Sequence, residues 1–367
     1  MTYNQRNEIG SYFETEDKII NCKQENRFDF DFEKLFSDST YVFSGRNAIE
    51  LALKDIELTK EIRTVYMPSY LCDSMIDPFL ENEVKIHYYK VNYNFNLKVV
   101  EVDINKNVEC DILFINNYFG NNKLVNKESI DHFKSKGTVI FEDVTHGLFN
   151  KNFIENSSDY YVASIRKWLG LASGGLLLKK NGILANKPII NSDKFASTKI
   201  NAMELKKKYL KGFNVNKNDF MKIFAESDKM FKEVGTKYKI DTHSINILNK
   251  LDSDLLRKVR INNSKYIYDQ LKRLEFIEPI FTENFRDDIC PLFVPVIIKA
   301  GKRDELRNLL IENGIYCPVH WPQNRGQYSN IQNNELSLIC DHRYDHNDME
   351  RLCAVLKNWD KINSETT

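Results

Sequence analysis

The sequence predicts an α/β fold: a mostly parallel seven-stranded sheet covered by helices, followed by a smaller C-terminal α+β domain. Short apolar segments rich in β-branched and aromatic residues read as strands at 63–68, 85–91, 111–117, 137–143, 159–165 and 174–180. Stretches long enough for a helix, such as DSMIDPFLENE and KESIDHFKSKG, separate several of them. Continuously apolar strands alternating with helices belong to a parallel sheet buried on both faces. After residue 185 the pattern turns to long, charged helical stretches.

Each element has its own signal. SGRNAIELALKDI (44–56) places apolar residues at 48, 49, 52, 53 and 56, a helical spacing. The strand at 63–68 is stopped by Pro68. Residues 203–235 read as helical, and 244–274 as one long helix. LFVPVIIK then reads as a strand, KRDELRNLLIENG as a helix closed by Gly314, IYCPVHW as a strand and NDMERLCAVLKNW as a final helix. The expected division is a large domain over 1–235, including the helical stretch 203–235, and a small domain over 236–367.

Composition excludes several classes. The 367 residues are 42% apolar, enough for a sizeable core. Lys plus Arg number 52 and Asp plus Glu number 52, so charge gives no reason to expect nucleic acid or a membrane as partner. No apolar run approaches the ~18 residues of a spanning helix, and the polar, acidic start MTYNQRNEIGSYFETEDK is no secretory signal. Seven cysteines at 22, 72, 110, 290, 317, 340 and 353 form no CxxC pair, which favours reduced thiols in a cytoplasm and no metal site.

Ligands of open parallel sheets bind at the carboxyl ends of the strands. Three predicted strand ends carry polar groups: Asn116 and Asn117, then Glu142 and Asp143 followed by VTHG, then Ser164 and Lys167. Ser44 and Gly45 open a helix, a natural anion site. Any one of these has a plainer explanation, since lysines at strand ends are ordinarily solvated and aspartates cap helices. The set in order is more informative.

That ordered set resembles the fold-type I pyridoxal-phosphate enzymes, and more narrowly the DegT/StrS-type sugar aminotransferases. The resemblance rests on SG at 44–45, Pro68-Ser69-Tyr70, EDVTH at 142–146, Ser164 with Lys167, Gly174-Gly175, VHWP at 319–322 and SLICDHRY at 337–344. It implies pyridoxal 5'-phosphate as cofactor, Lys167 as the Schiff-base lysine and Asp143 as partner of the pyridine nitrogen. His146 would hydrogen-bond the ring hydroxyl or sit against the ring. Ser164, Gly45 and Arg46 would serve the phosphate, and Asn117 would join the cofactor site. The position that usually stacks on the ring corresponds to Cys72, a departure that leaves Tyr70 as the alternative. Glu142, adjacent to Asp143, points to the opposite face and reads as structural.

The resemblance further implies a cytoplasmic homodimer moving an amino group, from glutamate, to a nucleotide-linked keto sugar for surface-polysaccharide or secondary-metabolite biosynthesis. The partner loop that reaches the phosphate corresponds to KIDTHSIN (239–246), where no single residue can be assigned. Tyr12, His320 and Arg343 are candidate substrate contacts. The alternatives are another fold-type I reaction, a lyase or aldolase, and an inactive binding homologue. A dehydratase is disfavoured by the presence of Lys167, and an inactive homologue by Lys167 and Asp143 together.

Overall fold

The structure is a computed structural model and describes residues 7–20, 35–121, 123–154, 157–281, 288–321 and 328–365. In chain order its first elements are β1 (Ile9–Gly10), β2 (Asp38–Val42), α1 (Gly45–Glu57), β3 (Thr64–Pro68), α2 (Asp73–Glu81), β4 (Lys85–Asn94), β5 (Val99–Asp103), β6 (Ile112–Asn116), α3 (Lys127–Ser135), β7 (Val139–Asp143), β8 (Tyr160–Ser164) and β9 (Gly175–Lys179). Then come α4 (Asp193–Leu210), α5 (Lys217–Phe231), α6 (Thr242–Leu248), α7 (Ser253–Leu271), β10 (Ile277–Pro279), β11 (Val294–Ile298), α8 (Arg303–Glu312), β12 (Ile315–Tyr316), α9 (Ile331–Asn334), β13 (Glu335–Leu338) and α10 (His346–Glu365). Cys22 and Pro322 lie outside the described residues.

The chain falls into two compact units, each discontinuous in sequence, whereas the sequence suggested a single cut near 235. The first unit contains Tyr12–Glu61 and Asp159–Leu255. Its strands run in the order β2-β9-β8, both pairings antiparallel, with Val42 and Ser164 each opposite Gly175. Helix α1 packs on β8 and β9, and α4 pairs with α5.

The second unit contains Ile62–Ser158 and Leu256–Thr367. Its main-sheet strands are ordered β7-β6-β3-β4-β5. The pairs β7–β6, β6–β3 and β3–β4 are parallel, and β5 is antiparallel. An antiparallel β10-β11-β13 sheet and the parallel β1–β12 pair complete it. Val296, Leu306, Leu310, Leu338, Leu352 and Trp359 lie in the core behind that second sheet.

Among the described residues the first unit's sheet has three strands and the second unit's larger sheet has five. The two that sequence reading passed over, β2 and β5, are end strands with mixed exposure, so DSTYV and VVEVD lack the continuous apolar run of a buried strand. The expected helix over 203–235 is two helices, α4 starting earlier at Asp193, parted after Gly212, whose φ of 85° ends α4. The expected long helix over 244–274 also divides. Asp252 donates its N–H to the Ile19 carbonyl at 2.8 Å, and its carboxylate accepts from Leu255 N at 2.8 Å, which restarts the chain as α7. Of IYCPVHW only Ile315–Tyr316 is strand, because Pro318 has no N–H to offer a ladder.

The fold positions the candidate residues by one repeated device. Short 3-10 turns at Tyr118–Gly120, Thr145–Gly147 and Ile165–Lys167 follow β6, β7 and β8 directly. Each turns the chain at a strand end and presents side chains there.

Candidate functional site

In the first unit the turn after β8 carries Lys167. The side chain is half-buried, and among the described residues its ammonium has no hydrogen bond or ion pair. Nearby backbone is held very close. Gly174 has φ +143° and donates to the Phe43 carbonyl at 2.7 Å. A Cβ on Gly175 would lie 2.2 Å from the Ser44 oxygen, and one on Gly45 would lie 3.1 Å from Ser164 Cβ. The first turn of α1 can therefore sit against the end of β8 only because positions 45 and 175 lack side chains. Ser44 caps that helix, its hydroxyl accepting from Asn47 N at 3.3 Å. The Arg46 guanidinium donates to the Lys232 carbonyl at 3.3 Å.

The helical pair of the first unit places further polar groups that sequence reading did not single out. Lys199 of α4 is buried at 6% exposure, its ammonium 4.8 Å from the centre of the Phe231 ring, which Arg166 also faces at 5.1 Å. Burial, reinforced by the Arg166 charge, lowers the Lys199 pKa to about 7. Tyr12 stacks on Phe224 with ring centres 4.1 Å apart, and its hydroxyl donates to Asp228 at 2.8 Å. Burial and the Asp228 carboxylate push the phenol up to about 12. Tyr12, expected at the substrate, is thus engaged by the helices of its own unit.

In the second unit β7 ends in the pair Glu142–Asp143, and the two diverge as expected. Glu142 is fully buried and accepts from the Ser158 hydroxyl at 2.8 Å. Asp143 is 5% exposed, and its Oδ1 accepts from Thr145 N at 2.8 Å, so it also caps the short turn after the strand. Asn117 donates its backbone N–H to the Asp143 carbonyl at 2.9 Å. Its side-chain amide is buried, and neither polar atom has a partner among the described residues.

His146 lies within an aromatic cluster. Its Nδ1 accepts from Phe119 N at 3.2 Å, and its ring stacks with Trp321 at 5.8 Å between centres. Phe119 adopts φ 51°, a left-handed conformation costly for a residue with a side chain, and this presents its N–H to the imidazole. Tyr70 is completely buried, between Tyr118 at 5.4 Å and Trp321 at 4.9 Å, with its hydroxyl donating to the His320 carbonyl. Tyr70, the alternative for the ring-stacking position, thus presents no exposed face in this structure. Cys72 is half-buried, its Sγ 3.0 Å from Ser74 Oγ.

Arg343 was expected at a substrate carboxylate or at the surface. It is instead buried and clasps Asp341 with two parallel bonds, Nε to Oδ1 at 2.9 Å and Nη2 to Oδ2 at 2.8 Å. Burial raises the Asp341 pKa, but the Arg343 charge outweighs it and holds the carboxylate well below its ordinary range. His320 is buried at 7% exposure and stands 5.2 Å from His146 between ring centres. Trp321 and His320 were present in the sequence as VHWP, but their pairing with His146 is non-local and left no sequence signal.

No family model matches the chain, and no curated protein matches it. Solved structures do. A DegT DnrJ EryC1 StrS aminotransferase from Brucella abortus superposes with TM-score 0.63 at 12% identity, over 94% of this chain and 92% of that one. The chain has the fold of these aminotransferases. PseC of Helicobacter pylori, an aminotransferase of pseudoaminic acid biosynthesis, gives TM-score 0.66 at 12% identity over 97% of this chain and 100% of its own. NtdA of Bacillus subtilis, solved with bound cofactor PMP, gives 0.61 at 14% identity over 93% and 78%. The aminotransferase fold therefore spans nearly the whole chain, and no helix among the described residues is long and apolar enough to cross a membrane.

The depressed pKa of Lys199 has a consequence for stability. Between about 7 and the ordinary lysine value of 10.5 the unfolded chain holds a proton that the folded chain has released, so stability rises with pH. The slope reaches about 1.4 kcal/mol per pH unit. Urea melts of wild type and Lys199→Met are expected to converge with rising pH, the variant's advantage at pH 7 shrinking by roughly 2–3 kcal/mol by pH 9. An advantage that stays constant across this range would refute the buried, near-neutral amine.

Proposed function

We propose that this chain is a pyridoxal-phosphate-dependent aminotransferase that moves an amino group from glutamate to a nucleotide-linked keto sugar, as a homodimer. The observation that carries this reading is Lys167, a half-buried amine with no hydrogen bond or ion pair among the described residues, in a chain with an aminotransferase fold. The residues fit the cofactor. The bare glycine positions 45 and 175 let the chain pack closely at a helix start whose N–H groups suit a phosphate. Asn117 brings a buried amide with unused hydrogen-bonding capacity. Fold likeness to a structure with bound PMP supports the same assignment.

Bound pyridoxal phosphate supplies an electron sink for charge that develops on the amino carbon. The chain's own groups do the rest. Lys167 Nζ would hold the cofactor and, as a free amine, would take and return a proton. Asp143 would face the ring nitrogen and favour its protonated form. His146, its Nδ1 occupied by the Phe119 N–H, carries its proton on Nε2 and donates from there. Ser164 and the start of α1 hold the phosphate.

Borohydride treatment of the loaded protein is expected to fix the cofactor on the peptide containing Lys167. Lys179, bound to Asp55 at 2.6 Å, and Lys180, bound to the Leu35 carbonyl at 2.8 Å, are internal controls. Lys167→Ala should fold normally and transfer no amino group; label on either control lysine would reject the site. Asp143→Asn should retain the Lys167 adduct while lowering turnover by about a thousandfold or more, measured as bleaching of the bound cofactor by glutamate. Near-normal bleaching would mean that another group serves the ring nitrogen. Sedimentation of the loaded enzyme at micromolar concentration should give a dimer, and a fully active monomer would eliminate the shared-site expectation.

A further inference from the structure

A further buried acid sits in the second unit, outside the residues assigned above. Glu335 begins β13 and is completely buried. Its Oε2 accepts from the backbone N–H of His320 at 2.7 Å, and its Oε1 accepts from the Ser337 hydroxyl at 2.5 Å. Ser337 Oγ in turn lies 2.8 Å from His320 Nδ1. The direction of each bond follows from the donor inventory. A carboxylate only accepts, so the Ser337 proton points to Glu335. Ser337 Oγ must then accept from His320, which places a proton on Nδ1. In the neutral imidazole the Nε2 lone pair is left over, and among the described residues no hydrogen bond reaches it. Around that ring stand aromatic groups, His146 at 5.2 Å, Phe293 at 5.2 Å and Trp321 at 5.4 Å. An acceptor among aromatic walls with no partner in the chain is open to a donor arriving from outside.

We propose that Glu335, through Ser337, fixes His320 as the Nδ1–H tautomer, so that Nε2 accepts a hydrogen bond from a hydroxyl of the sugar acceptor. His320 is then a specificity residue, and Glu335 and Ser337 are positioning residues. The assignment of the hydroxyl rests on the aminotransferase reading; the tautomer does not. The aromatic walls suit the apolar face of a sugar ring, and the single acceptor nitrogen suits one of its hydroxyls.

Glu335→Gln is the informative variant because it conserves shape and reverses polarity. The His320 backbone N–H can only donate, so the Gln oxygen must face it. The amide NH2 then faces Ser337, whose hydroxyl turns to donate to Nδ1, and the His320 proton moves to Nε2. Long-range proton–nitrogen NMR on histidine-labelled protein should report Nδ1–H in wild type and Nε2–H in Glu335→Gln. Amino transfer to a UDP-linked 4-keto hexose bearing a 3-hydroxyl should show KM raised about tenfold or more, with a smaller change in kcat. An Nε2–H tautomer in wild type, or an unchanged KM in a variant whose tautomer has flipped, overturns the proposal. Wild-type protein whose cofactor bleaches with glutamate but that fails to use the hydroxylated sugar also overturns it. Failure to bleach at all rejects the aminotransferase reading instead, and the NMR result stands independently of that.

Discussion

The local architecture of the first unit depends on one close approach. Gly175 pairs with both Val42 and Ser164, and the space where its side chain would be is taken by the Ser44 carbonyl. Alanine at this position would have to displace backbone, since 2.2 Å is far inside contact distance for carbon and oxygen. The start of α1 is held against the strand that leads to Lys167 by this absence of atoms and by the Gly174 bond to Phe43. A cradle made of backbone has few ways to relax, and its N–H groups need no rotamer to be frozen before an anion arrives. The Ser44 cap, of the kind that contributes about 1 kcal/mol, secures the same turn.

Several lysines of this unit are committed to partners, while among the described residues Lys167 has no hydrogen bond or ion pair. Lys179 is tied to Asp55, which also accepts from Tyr160 at 2.6 Å and from Ala185 N at 2.8 Å. Lys187 is bound to Asp38, and Lys206 donates to the Tyr12 carbonyl. Among the described residues Lys199 forms no ion pair with a carboxylate, and burial drives it toward neutrality instead. A buried cation must be paired or lose its charge, and both solutions occur within this unit. Lys167, only half-buried, escapes that choice, so its amine remains available.

The parts that were legible in the sequence are those with local causes. Buried strands show as apolar runs, and β3, β4, β6, β7, β8 and β9 all fall within or close to their expected spans. Glu142 and Asp143 diverge because adjacent strand residues face opposite ways, which needs no tertiary knowledge. End strands such as β2 and β5 carry polar residues on an exposed face and lose the signal. Tyr70 and Arg343 show the other limit. Each is the right chemical type for a site, yet whether a ring is sealed between Tyr118 and Trp321, or a guanidinium is clasped by Asp341, depends on contacts that composition and spacing do not encode. Lys199 and Glu335 were invisible for the same reason: a lysine in a charged helix and a glutamate in a polar stretch both read as solvated.

His146 and His320 show how the second unit sets polarity by two different means. The donor inventory gives them opposite tautomers, His146 with its proton on Nε2 and His320 with its proton on Nδ1. His146 is fixed by a backbone N–H, that of Phe119, held in place by a left-handed φ of 51°. Such strain costs on the order of 1 kcal/mol, and no substitution at Phe119 other than proline removes the donor. His320 is fixed through two side chains, Ser337 and Glu335, so its polarity can be reversed by a single isosteric change. A chain that fixes one histidine by its backbone and the other by replaceable side chains has separated what must stay constant from what can vary. If His146 serves the cofactor and His320 the acceptor, that separation matches the chemistry, because the cofactor is common to every substrate such a fold takes and the acceptor is not.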